Sequence, residues 1–341
     1  MRENIFYRLK RKISDFFYSV SIFIGKLFHK NKKTNFAEIN HVKMKKSAKI
    51  KQTLCIWSFL IIPIIDLIVF WVYGTLKSFP IAFEHHLSDG STVYDFSNFD
   101  YLFKLFGEEN NLFFESLFNT LKYWVFGFFV LTPISFLMGF FLYKRIAGFR
   151  VFRYVFFFPT LISSVIMCAF FKVMFGPGGQ IPYLMDVFFG IKDMIPLADS
   201  DYAFKTMLFF NFYMGLTGNL LYWLAAFARI PEEIVEAAKI DGVTVFKEFI
   251  YITFPITWPF FSTMLLLMCT GILSASGPAL LLTGGAYGTY DLGYWQYVLT
   301  VSGGENTQGY SGAIALLIGV IVLPFTLVIN HFVNKIEPVE F

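Results

Sequence analysis

Six apolar runs constrain this chain more than anything else in it. They lie at 54–76, 117–142, 151–175, 206–228, 259–282 and 311–333 of 341 residues. Each exceeds the roughly 20 residues an α-helix needs to cross about 30 Å of hydrocarbon, where backbone N–H and C=O groups must be satisfied within the segment. The fourth and fifth contain no Asp, Glu, Lys or Arg. None alternates apolar and polar residues as a barrel strand does. The expected fold is therefore an all-α integral membrane protein with six transmembrane helices. Composition agrees: 56% of residues are apolar and 15% charged, against about 45–50% and about 25% in ordinary soluble domains.

Charge sets the orientation. With the amino terminus inside, the segments 1–53, 143–150, 229–258 and 334–341 hold 21 Lys and Arg residues, and the segments 77–116, 176–205 and 283–310 hold 4. Long tails weigh little in this rule. Counting only 34–53 of the first segment still leaves 12 against 4, while the outer segments carry 13 acidic residues. Both termini are expected in the cytoplasm of a multi-pass plasma-membrane protein.

The first 53 residues form a basic extension. No small-residue cleavage pattern follows a clean apolar core, so they do not read as a signal peptide. Ile13, Phe16, Phe17, Val20, Ile24, Leu27 and Phe28 recur at helical spacing among Arg8, Lys10, Arg11, Lys12, Lys26 and Lys30. That pattern suits an amphipathic helix in the inner interface, held by apolar burial and anionic lipid. A seventh span or a loosely ordered tail are the other readings. Residues 54–333 would then be the six-span domain, with a cytoplasmic loop at 229–258, and 334–341 a short tail.

Catalytic chemistry finds little support. Cys55, Cys168 and Cys269 fall in separate spans without metal or disulfide spacing. His29, His41, His85, His86 and His331 are scattered, and no phosphate-binding glycine loop, His-Glu metal helix or hydrolytic triad is visible. Asp66 lies inside the first span after Pro63, where an isolated charge costs about 2.5–3.5 kcal/mol on insertion scales. It is either a proton or ion carrier, or a group that is protonated or faces a protein partner. Lys122, Arg153 and Lys172 lie near span ends and can snorkel.

The polar interruption "IPEEIVEAAKIDGVTVFKEFIYITFP" runs from Ile230 to Pro255. Pro231 suits a first helical position, and Glu232, Glu233 and Glu236 place negative charge near the positive end of the helix dipole. Gly242 suits a left-handed helix end. The adjacent Ala237 and Ala238 admit a second surface close to the backbone. A helix of about 11 residues, roughly 16 Å long, is expected, followed by a second short helix that Pro255 and Pro259 stop. By composition alone this elbow plugs into a partner or rests on the bilayer.

The spacing resembles the EAA loop of permease subunits in binding-protein-dependent ABC importers. Their pattern is Glu-Ala-Ala, three residues, Gly, nine residues, Ile, one residue, Leu-Pro. Here it reads Glu236-Ala237-Ala238, Gly242, Ile252, Phe254 and Pro255, with Phe254 the one departure. The "IPEE" before it and the pair Asp241-Gly242 resemble the carbohydrate branch. "FNTLKYW", "RVFRYVFFFPTLISSVI", "LLTGG" and "GYSGAIAL" extend the similarity across roughly 54–341, and the order of features and short carboxyl tail resemble the maltose-type first permease more than its usual partner subunit.

The resemblance implies a non-catalytic subunit that translocates a carbohydrate, and an oligosaccharide is the expected substrate. Its partners would be a second homologous permease, two ATP-hydrolysing subunits, an extracellular sugar-binding protein and membrane lipid, with no nucleic acid and no cofactor held by this chain. It implies that Glu236, Ala237, Ala238, Asp241, Gly242 and Pro255 couple to the ATPase. It also implies that Ser164, Asn211, Gly215 and Ser274 contribute to a substrate pocket midway across the membrane. Gly271 and Ser274 stand where the family has Asn, which leaves the particular sugar open. Tyr213, Tyr222 and Trp223 would supply aromatic faces. The rival functions are a secondary carrier using Asp66, a membrane-embedded enzyme and a structural assembly factor.

Overall fold

The computed structural model describes residues 46–87, 90–105, 107, 112–191, 194–304, 306–333 and 335, with the backbone alone described for 46–53 and Ser302. The expected interfacial helix over residues 13–28 and the tail at 336–341 lie outside these. The chain divides into Met1–Ile68 and Val69–Phe341.

The first unit contains α1 (Lys46–Asp66), with Pro63 inside it. The helical path of the first span, Leu54–Ile81, has an apolar window with none of its residues buried. Phe59, Ile62, Phe70 and Trp71 are exposed along it. A surface this apolar requires lipid or another protein around it.

The second unit begins its helices with α2 (Tyr73–Ile81). An antiparallel hairpin follows, β1 (Glu84–His86) with β2 (Thr92–Tyr94), in register with Glu84 opposite Tyr94. This corrects the purely helical expectation. The hairpin leads to α3 (Ser97–Leu105), and the two together are fastened at three places. The buried Asn98 donates to the carbonyls of Ala82 (3.0 Å) and Glu84 (2.9 Å). Asn306 accepts from His86 N–H and donates to its carbonyl. Tyr101 and Tyr310 stack with ring centroids 4.0 Å apart.

The remaining helices are α4 (Leu112–Phe126), α5 (Thr132–Tyr143), α6 (Phe149–Phe157), α7 (Ser164–Phe175), α8 (Gln180–Phe189), α9 (Ala203–Phe227), α10 (Glu232–Ile240), α11 (Val245–Glu248), α12 (Phe254–Thr270), α13 (Ala279–Leu282), α14 (Leu292–Ser302) and α15 (Thr307–Val333). Among the described residues, five helical stretches are long and apolar enough to cross a bilayer: Leu54–Ile81, Leu112–Tyr143, Ser164–Phe189, Val245–Thr270 and Thr307–Val333. The run expected at 206–228 is helix α9, 25 residues long, but Asn211, Asn219 and its threonines, glycines and tyrosines dilute its hydropathy.

Two span boundaries differ from the sequence expectation. Residues 151–175 are not one helix. Phe158–Leu161 tightens into a 3₁₀ turn at Pro159, and a new helix starts at Ser164. Near the fifth span, Pro255 and Pro259 do not stop the helix, which continues from Val245 to Thr270. The chain achieves this by winding wide over Phe249–Thr253, so that Phe254 N–H bonds to Phe249 O, five residues back. Gly127–Leu131 does the same ahead of Pro133. A proline has no N–H for the fourth residue behind it, and a widened turn lets the helix pass.

Packing centres on α5 against α9. A Cβ on Gly215 would lie 2.6 Å from Leu131 Cδ2, so the missing side chain makes room for the leucine that precedes α5. Trp223 sits among Phe136, Phe140, Phe227 and Ile230, and its indole N–H donates to Ser135 Oγ at 2.9 Å. A hydrogen bond between membrane helices averages about 0.6 kcal/mol, so packing contributes most of what holds this pair.

Candidate functional site

The polar elbow begins at Pro231, which caps α10 in extended geometry. The helix has 9 residues rather than 11, roughly 14 Å. Its end is closed by two bonds, Gly242 N–H to Lys239 O (3.1 Å) and Val243 N–H to Ala238 O (3.0 Å). Gly242 has φ +70, the left-handed residue that this closure requires.

One face of α10 is turned inward. Ala238 is buried, and Val235 packs on the Phe136–Trp223 cluster. Glu232, Glu233, Glu236, Ala237 and Asp241 are exposed. Beyond them project large apolar side chains: Ile240 is 86% exposed, Phe246 70% and Tyr251 74%. A hollow of about 400 Å³ is lined by Glu233, Ile234, Ala237, Ala238, Asp241, Val243 and Ile252. A second, of about 320 Å³, lies among Tyr143, Lys144, Arg145, Glu232, Glu236 and Lys239. The elbow is tied to the end of α5 by an ion pair between Lys144 and the buried Glu248. Sequence reading did not anticipate that pair, because Lys144 caps α5 and Glu248 ends α11, far apart along the chain. Pro255 is partly buried and lies beyond the widened turn.

The residues expected in a substrate pocket divide. Asn211 Nδ2 donates to Ser276 O at 3.4 Å, joining α9 to the turn segment that also holds Ser274. Ser274 and Ser164 are exposed. Ser164 opens α7, whose Met167, Cys168 and Phe171 share a core cluster with Phe210 and Ala279. Gly215 is occupied with helix packing against Leu131. Trp223, expected as a sugar-facing ring, is 2% exposed and bonded to Ser135; Tyr222 is exposed and Tyr213 partly buried. Asp66 is exposed on α1.

The "FNT" of α4 has a clear structural task. Asn119 donates to the carbonyls of Gly288 (2.9 Å) and Tyr290 (2.8 Å), and Thr120 Oγ1 accepts from Leu292 N–H (2.9 Å). The loop before α14 is thereby pinned. Asp291, fully buried, accepts from Tyr294 N–H (2.8 Å) and Gly277 N–H (3.0 Å). Burial holds its carboxyl above the usual range, and those N–H groups, with Gly293, offset only part of that rise.

No family model matches the sequence. The chain is 26% identical over 270 residues to the arabinooligosaccharides transport system permease protein AraP of Bacillus subtilis (strain 168), spanning 78% of this chain and 84% of that one. It is 27% identical over 278 residues to the multiple sugar-binding transport system permease protein MsmF of Streptococcus mutans serotype c, spanning 78% and 90%. In structure it superposes with a TM-score of 0.70 on a chain of a bacterial ABC transporter involved in import of the acidic polysaccharide alginate. That match covers 85% of this chain and 98% of the other at 19% identity, a likeness of fold.

Proposed function

We infer that this chain is the permease subunit of an ATP-driven ABC importer of carbohydrate, with an oligosaccharide as substrate. Its relatives AraP and MsmF are named as sugar-transport permeases, and its fold is that of an alginate importer's chain. An extracellular binding protein delivers the sugar, and two partner subunits hydrolyse ATP beside a second permease. The chain itself carries no catalytic step and holds no cofactor.

The observation that carries the coupling assignment is the elbow. A short helix, closed at Gly242, is backed by the membrane core on its Val235–Ala238 side and exposes Glu236 and Ala237 on the other. In our reading this knob docks on the ATPase, and the loop 229–258 transmits its motion through the continuous helix Val245–Thr270. Six helices then cross the membrane, α9 among them as the more polar sixth, with both termini in the cytoplasm. Asn211, Ser164 and Ser274 face the sugar, and Gly215 sets the spacing of the helices around it. The basic extension 1–53 lies at the inner lipid surface.

The test is reconstitution of the whole transporter in proteoliposomes with its binding protein. The sugars are a panel of arabino-, gluco-, galacto- and manno-oligosaccharides of increasing length. ATP-dependent uptake of at least one sugar is expected, with hydrolysis stimulated by the loaded binding protein. Uptake that continues without ATP and follows an ion gradient instead would overturn the assignment in favour of a carrier using Asp66.

A further inference from the structure

A row of tyrosine rings at the entry to α14 and along it has no part in the site described so far. Tyr290 and Tyr294 have ring centroids 5.1 Å apart at 25°, and Tyr294 and Tyr297 are 6.2 Å apart at 19°. Near-parallel rings in full face-to-face contact would sit about 3.5–4 Å apart, so these are displaced sideways and each leaves part of a face uncovered. Tyr297 is 48% exposed, and Tyr290 and Tyr294 are partly buried.

The rings are held in place rather than loosely arrayed. A Cβ on Gly285, a buried residue at φ +79, would lie 2.5 Å from Tyr290 Cε2 and 2.8 Å from Tyr294 Cε1, so both rings rest against that glycine. Asp291 caps the helix at Tyr294 N–H, and Asn119 holds the Tyr290 carbonyl. Ser276 and Gly293 link the row to Asn211. Ser276, which accepts from Asn211, lies 3.8 Å from where a Cβ on Gly293 would sit, beside Tyr294. Tyr294 also packs on the cluster containing Phe210 and Ala279.

Sugar rings present apolar C–H faces rimmed by hydroxyls. Tyrosine matches both, with an aromatic face for the C–H groups and a phenol that donates and accepts. Being rigid, these rings lose little freedom on contact. We propose that Tyr290, Tyr294 and Tyr297 form a stacking platform that carries successive units of an oligosaccharide to and from the Asn211 position. The platform rests on the carbohydrate reading above and adds to it a determinant of chain length.

The experiment uses the reconstituted transporter and sugar panel already described, comparing the longest and shortest sugars accepted. Tyr294→Leu with Tyr297→Leu should lower the long-to-short uptake ratio roughly three- to tenfold, as loss of one or two aromatic contacts would. The Phe versions at both positions should hold that ratio within about threefold, since the stacking faces remain. Asn211→Ala serves as the control that lowers uptake of every sugar. An unchanged ratio in the Leu variant, beside a normal Asn211→Ala effect, overturns the platform and leaves the carbohydrate reading standing. So does an equal fall for all sugars that tracks the amount of protein in the membrane, since the rings would then be interface anchors. If the unsubstituted transporter takes up no sugar of the panel, the carbohydrate reading fails and the platform with it.

Discussion

Gly139 lies directly beneath Trp223: a Cβ added to the glycine would sit 2.8 Å from the Cβ of the tryptophan and 3.2 Å from Phe227 Cε2. The first of those atoms is fixed to the backbone of α9 and cannot swing away. Gly139→Val should therefore push α5 and α9 apart and cost about 1–3 kcal/mol, the usual penalty of overpacking. Thermal unfolding of the purified transporter in detergent measures this. A melting temperature equal to that of the unsubstituted protein would mean the helices are not in contact here.

Glu236 and Gly242 should matter for coupling and not for membrane insertion. Glu236→Lys reverses the charge on the exposed face of α10, and Gly242→Pro is incompatible with a backbone at φ +70. Each is expected to abolish sugar-stimulated ATP hydrolysis and uptake, while the chain still reaches the membrane in normal amount. Normal stimulation in both variants, assayed in proteoliposomes, would defeat the docking assignment.

Asn211 should act on transport alone. Asn211→Ala removes the donor that meets Ser276 and one amide from the path we assign to the sugar. Uptake should fall roughly tenfold or less, the usual range for one polar contact. Affinity of the external binding protein for its sugar should not change. Identical transport kinetics would take Asn211 out of the pocket.

Acid should loosen the hairpin at its joint with α3. The Ser97 hydroxyl, and after it the Ser97 N–H at 2.9 Å, bond to Asp95 and hold its carboxyl below the usual aspartate range. The folded value is thus lower than the unfolded one. The stabilisation is complete above the ordinary value of about 3.9 and is lost as pH falls through the lowered one. Asp95→Asn keeps an acceptor oxygen without the charge, so its protection should not vary over that window. Amide exchange across Ser97–Leu105, compared between acidic and neutral conditions, reads the difference. Equal acid sensitivity in both proteins would assign the loosening to other groups.

Much of this architecture is legible in the sequence because a bilayer leaves few options. A run such as 311–333 must be a helix of about the membrane's thickness, and α15 covers Thr307–Val333. Helix ends are less legible where the backbone departs from the α form. Pro255 reads as a stop, yet the widened turn at Phe249–Thr253 admits it, and no side-chain pattern announces such a turn. Pro159 reads as part of a span and instead breaks it. The elbow is readable because Gly242 and Ala238 have local reasons for their identities. The pocket is not, because polar residues on α9 can meet a ligand or a neighbouring helix. Trp223 turned out to serve Ser135, and Gly215 to admit Leu131. The hairpin at 84–94 carried no signal, since its strands are three residues each.

The wide turns at Gly127–Leu131 and Phe249–Thr253 each hold one residue more than a regular turn needs. Elsewhere in these helices, losing a residue would swing everything beyond it by about 100° and misdirect every side chain to follow. Loss of one residue within a wide turn leaves both flanks in phase, but at these two it restores the ordinary pitch that Pro133 and Pro255 obstruct. A third wide turn among the described residues, Leu67–Val72, has no proline at its exit, and it is there that a helix of this chain can shorten by a single codon and keep its faces aligned.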